Sequence, residues 1–178
     1  MLAKVDRIEE IRTRLLADLE GLPAAVLEAR PESGGWSVLE IVEHLLLSEE
    51  SVMKNVDRPE LLRPRRRSLR ARIGYAAVLG ILASPFKVRV PSPDMKPSGG
   101  RSFDELRSAW EESHRALRRH VVAEGEGEVS GAVFVHPVSG PLTTRQAVRM
   151  LRVHLERHER QIRRILRAVE HDRMPDAT

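Results

Sequence analysis

The sequence predicts an all-α fold: a bundle of four long helices forming one domain over residues 1–178, with a core from about residue 2 to 171 and a tail at 172–178. Three observations lead there. Four segments repeat their apolar residues with the helical period rather than the strand period. Three of those segments open on the same capping pattern. Strand signals are few, and four amphipathic helices that must bury their stripes against one another make a bundle.

The first helix is predicted from about Leu2 to Glu20, with Val5, Ile8, Leu15, Leu16 and Leu19 on its apolar stripe and Ile11 or Arg12 between them. Gly21 and Pro23 interrupt it, and residues 31–35 make a turn. The second helix is predicted from Val38 to about Val56, with Pro59 just beyond. It starts at Ser37-Val-Leu-Glu40, a capping box in which the hydroxyl accepts from a free backbone N–H and the glutamate accepts from the cap's own N–H. Trp36, immediately before the cap, is placed to pack on Ile41 as a hydrophobic staple.

Ser102-Phe-Asp-Glu105 opens a third helix to about Val122, and Glu124-Gly-Glu-Gly-Glu128 is a solvated break. Thr143-Thr-Arg-Gln146 opens the fourth and longest, ending near His171 before Pro175. Between the second and third helices, Ile73 to Leu82 is apolar enough to pack as a short helix. Residues 84–100 follow as an ordered crossing loop, in which Phe86, Val88 and Val90 alternate as if one side were buried. Val133 to Pro141 is predicted as a second crossing loop, and long loops of this kind often line a pocket mouth.

Composition narrows the function. A chain of 178 residues can bury roughly 70% of its unfolded surface. Only six residues are aromatic, too few for the stacking platforms of single-strand nucleic-acid readers, so nucleic acid is an improbable partner. Cysteine is absent, so any metal must be held by nitrogen or oxygen. No segment has the length of a membrane span or the apolar region of a signal peptide, from which a cytoplasmic protein without membrane insertion is expected. The net charge of +4 is local: Arg58 to Arg72 holds seven arginines against Glu60, leaving the remainder slightly acidic. A solvated charged face explains such a run, and an anion contact is the alternative.

The histidines carry the chemistry. His154 and His158 are four residues apart, one turn apart on one helical face, and share it with Leu151, Ile162 and Ile165. Two core histidines satisfied by hydrogen bonds or a water would explain that pair alone. His44 adds a third inward imidazole, on a face with Ile41, Leu47 and Ser48. Three buried imidazoles are hard to satisfy without a shared partner. A divalent cation on three neutral nitrogens, with open positions for water or substrate, is the arrangement of a catalytic metal.

The remaining candidates are weaker. Gln161, three residues after His158, is placed to contact a ligand or the substrate. His136 lies in the loop before Pro137, where it could orient the pocket mouth or simply serve the turn. His114, one turn from Trp110, faces either the core near the site or the core edge. His120 reads as solvent-facing, and His171 suits the negative end of its helix. Glu40 is occupied by its capping box.

Trp36-Ser-x-x-Glu-Ile-x-x-His-Leu45, followed far downstream by His154-x-x-x-His158-x-x-Gln161, resembles the DinB-like (DinB/YfiT) superfamily of metal-binding four-helix proteins. The Pro-rich stretch Phe86 to Pro93 and His136 to Thr143 fit as well, and the likeness runs from about Ile8 to Ala168. It implies an antiparallel four-helix bundle of unusual helix order and a divalent ion, zinc or nickel, on the positions of His44, His154 and His158. A homodimer is often implied too. Members with assigned activities include thiol-dependent S-transferases and a thiol-dependent maleylpyruvate isomerase; others are described as stress-induced proteins or metal-dependent hydrolases.

Three functions follow as expectations. The first is a metal-dependent enzyme that uses a low-molecular-weight thiol against a small electrophilic substrate. The second is hydrolysis by metal-activated water. The third is a non-catalytic small-molecule binder or stress-associated dimer using the Arg58–Arg72 run to hold an anion.

Overall fold

The computed structural model describes residues 1–32, 34–54, 68–84, 93–125, 132 and 134–173, the last four of these by their backbone. It contains α1 (Leu2–Leu19), a short α2 (Ala24–Glu28), α3 (Val38–Met53) and α4 (Leu69–Ala83). A 3-10 turn at Pro93–Met95, α5 (Phe103–Glu124), the strands β1 (Phe134–His136) and β2 (Gly140–Leu142), and α6 (Thr144–Arg173) complete it. The fold is all-α with one small hairpin.

Four long helices close a ring: α1 packs on α6, α6 on α3, α3 on α5, and α5 on α1. The α1 stripe is buried as predicted, from Val5 through Leu19. Arg12 is buried with it at 2% exposure. Its guanidinium stays in the core because Glu9 and Glu111 meet it at 2.9 and 2.6 Å, and a buried charge persists only when paired.

All three predicted capping boxes form. Ser37 N–H donates to Glu40 at 2.8 Å and Glu40 N–H returns to the Ser37 hydroxyl at 3.2 Å. Ser102 and Glu105 repeat this at 2.7 and 3.3 Å, and Thr143 and Gln146 at 3.1 and 3.4 Å. Each removes orphan N–H groups from a helix start. They fix where α3 and α6 begin, and so where on each helix the histidines fall.

Three segments differ from the sequence reading. The apolar stretch at 73–82 belongs to a longer helix, α4, which packs outside the ring on α6 and β2. The stretch read as a second crossing loop is a hairpin, with Phe134 opposite Leu142 and His136 opposite Gly140. Its three-residue strands are too short for alternation to register as a pattern. The stretch between Pro23 and the turn at 31–35, to which the sequence assigned no element, holds the small helix α2, which packs on α3. The alternating Phe86, Val88 and Val90, the end of the second helix beyond residue 54, the acidic break at 126–128 and arginines 58–67 lie outside the described residues.

Candidate metal centre

Helix α6 presents His154 and His158 one turn apart, and α3 presents His44 against them. The His154 Nε2 atom lies 3.1 Å from His44 Nε2 and 3.0 Å from His158 Nε2. Ligand atoms of all three lie within 4.8 Å of one another. His44 and His158 are buried and His154 is half-buried. The rings meet edge to face, at interplanar angles of 74–87°.

The outer nitrogens are held by neighbours. His44 Nδ1 donates to the Met95 carbonyl at 2.7 Å, and His158 Nδ1 donates to Gln161 Oε1 at 3.0 Å. A neutral imidazole has one proton, so donation from Nδ1 leaves Nε2 as a lone pair. Two lone pairs therefore face His154 Nε2, which has at most one proton to give. In the neutral trio one N–H at most must serve both approaches, so at least one of them lacks a full hydrogen bond, whereas a single cation accepts all three lone pairs. Nitrogens bound to one ion at about 2.0–2.1 Å lie about 2.9–3.4 Å apart; the two separations from His154 Nε2 fall in that interval, and all three ligand atoms lie within 4.8 Å. The donor set fits a divalent cation.

The environment keeps these rings neutral. Burial holds His44 below the ordinary imidazole range, with the Met95 bond pulling the other way. Burial, then the proximity of His44, pushes His158 down to about 3. His154 is driven well below its ordinary value, by burial first and then by its two partners. Neutral imidazole is the form that binds metal.

A second layer positions α3 and its loop. Glu43 accepts from the Ser98 hydroxyl at 2.7 Å and from Gly99 N–H at 3.0 Å. Burial pushes this carboxyl up, but those bonds and the Ser98 N–H outweigh it, so it sits below the usual carboxylate range. Gly99 has φ +75°, and a side chain there would approach Glu40 Oε1 to 3.3 Å. These contacts seat the loop that carries the Met95 carbonyl. Trp36 packs beside His44, its ring 4.8 Å from the imidazole.

The other predicted candidates take separate positions. Gln161 joins the trio through His158. His136 is buried in the hairpin turn, where its Nδ1 accepts from the N–H groups of Val138 and Ser139 at 3.1 and 3.2 Å; it serves the turn, and burial lowers its pKa. His114 is buried away from the trio, with Glu9 at 2.8 Å and Glu49 at 3.2 Å. His120 is not solvent-facing: it lies half-buried 3.1 Å from Glu124. The side chain of His171 lies outside the described residues. Met95 and the Glu43–Ser98–Gly99 contacts had no signal in the sequence, because a backbone carbonyl carries no residue signature.

Arg157, beside His158, turns away to donate to the carbonyls of Ile81 and Ser84 at the end of α4. No helix among the described residues is long and apolar enough to cross a membrane. The family model described as the DinB superfamily matches residues 7–162. Searches of curated proteins and of solved structures found no significant match.

Proposed function

The chain belongs to the DinB superfamily, and from that premise we propose a divalent-metal-dependent enzyme that uses a low-molecular-weight thiol to attack a small electrophilic substrate. The observation that carries the metal is the convergence of three Nε2 atoms, two of them fixed as lone pairs by Met95 and Gln161. A zinc or nickel ion there supplies Lewis acidity, because three neutral ligands leave its charge uncompensated. His44, His154 and His158 hold it, and Gln161 and the Met95 carbonyl orient two of the rings. Trp36 packs beside His44.

Thiol chemistry is preferred to hydrolysis for a specific reason. Glu40 is taken by its capping box and Arg30, and Glu43 by Ser98 and Gly99. Neither of these two carboxylates is free to act as a general base for water, which leaves that role to Glu49, whose Oε1, without a partner among the described residues, adjoins the cavity beside His154, whereas a metal-held thiol is acidic enough to ionise without one. The thiol-dependent activities that the family resemblance implies point the same way. The ring of α1, α6, α3 and α5 supports a four-helix bundle of the family's type. The apolar residues exposed on α4 and the hairpin, Leu69, Ile73, Ile81, Val135 and Val138, support a homodimer.

The test is metal analysis of untagged protein, followed by thiol titration of the cobalt- or nickel-loaded form. About one ion per chain is expected, together with a thiol-induced change in the metal spectrum and faster thiol consumption when an electrophile is added. His44→Ala should abolish both effects. Ester cleavage that rises toward neutral pH, without any thiol effect, would establish hydrolysis instead. Inertness to both panels, with anion binding lost on Arg65, Arg66 and Arg67 replacement, would establish the binding protein.

A further inference from the structure

A small internal cavity adjoins the histidine trio, lined by Glu49, Trp110 and His154 among the aliphatic side chains of Ile8, Leu45, Leu151 and Leu155. It offers about 10 Å³ to the centre of a water-sized sphere, close to what one water needs. Two buried polar atoms of the residues that line this cavity, Glu49 Oε1 and Trp110 Nε1, have no hydrogen-bond partner among the described residues. His154 is the one member of the trio whose Nδ1 has no partner among them, while those of His44 and His158 are held. Buried donors and acceptors are almost always satisfied by protein or by ordered water.

We propose that a single structural water occupies this cavity, accepting from Trp110 Nε1–H and His154 Nδ1–H and donating to Glu49 Oε1, and that Glu49 is thereby the positioning residue for the third metal ligand. The three bonds match the number a buried water commonly makes. They also pair both buried orphan atoms of the cavity lining, Glu49 Oε1 and Trp110 Nε1. With its Nδ1 proton committed to the water, His154 is left with a lone pair at Nε2, the same state that Met95 imposes on His44 and Gln161 on His158. An outer carboxylate that orients a ligating imidazole is a recurrent device of metal sites; here one water extends its reach.

Glu49 is suited to the task. Its other oxygen, Oε2, lies 3.2 Å from His114 Nδ1, and His114 Nε2 faces Glu9 at 2.8 Å. The carboxylate is therefore anchored from behind by a buried imidazole, which in turn reaches the partly exposed Glu9. This explains why His114 is buried without joining the trio.

The inference rests on the metal reading for its consequence but not for its test. In the full-length, metal-free protein, 15N NMR of the histidines should find His154 protonated on Nδ1. Exchange-edited spectra should show a long-lived water beside Trp110 Nε1–H. Glu49→Leu should shift the His154 tautomer toward Nε2–H while leaving His44 and His158 unchanged, an asymmetry that general loosening would not produce. It should weaken cobalt binding by about 10–100-fold, with smaller losses for Glu49→Gln and Trp110→Phe. The latter two are near-isosteric and keep the test open should Glu49→Leu fail to fold. Protonation of wild-type His154 on Nε2, or cobalt affinity and His154 tautomer unchanged in Glu49→Gln and Trp110→Phe, would overturn the proposal. Wild-type protein that binds no metal yet shows the Nδ1 tautomer and the water would refute the metal reading alone.

Discussion

Single protons decide what the three central histidines can do. Their imidazoles are buried neutral, so an acid proton must either stay off or open the fold. The folded values lie below the ordinary 6.5, and His158 reaches about 3. Below pH 6.5 the unfolded chain therefore binds more protons than the native one, and stability falls with pH. Metal-free protein should lose thermal midpoint steadily from about pH 6.5 to 5, before carboxylates begin to titrate. A midpoint flat over that interval would contradict neutral burial. His154→Ala or His158→Ala should weaken metal binding by more than the 10–100-fold typical of losing an outer partner, and Gln161→Leu by about that range. Chelator competition measures both. The trio was legible because i, i+4 spacing and shared apolar neighbours place side chains on a face. Glu49 was not, because an unpaired oxygen and a cavity exist only once α1, α3, α5 and α6 have packed.

Helix α4 shows what elements add. From Ile73 onward its residues are apolar on all sides, yet only Val78 is buried, so periodicity had no face to report and the sequence yielded only a short packed segment. Two of its glycines should respond oppositely to alanine. A Cβ at Gly74 would lie 2.9 Å from the Val138 carbonyl, against the hairpin backbone. Gly74→Ala should cost about 1–3 kcal/mol, as overpacking does. Gly80 has open space around it, and Gly80→Ala should gain about 0.5–1 kcal/mol. Urea titration reads both, and equal effects would show that α4 is not seated on the hairpin as described. The long helices were legible for the opposite reason. Each carries one apolar stripe and, for α3, α5 and α6, a capping box whose two hydrogen bonds are local. Ser37→Ala should cost about 1 kcal/mol and, by loosening the start of α3, weaken metal binding as well.

At the scale of the whole molecule, the described residues expose an apolar surface. Leu69 and Ile73 are 70% and 62% exposed on α4, and Val135 and Val138 are 52% and 60% exposed on the hairpin beside it. The residues Leu69, Ile73, Ala77 and Ile81 recur every fourth position, which makes the exposed side one continuous face. Apolar faces of this kind mark interaction sites, and a second copy fits without a new partner. A two-fold axis near Ala77 would run the two α4 helices antiparallel. The N-terminal ends of the two helices would then lie at opposite ends of the contact, about 22 Å apart for a fifteen-residue helix. Sedimentation should give twice the 20.1 kDa chain mass at micromolar concentration. Ile73→Glu with Ile81→Glu should halve it while leaving metal content intact, because neither residue touches the histidines. A wild-type mass near 20.1 kDa would leave the face to some other partner, and a dimer that survives both charges would put its interface elsewhere.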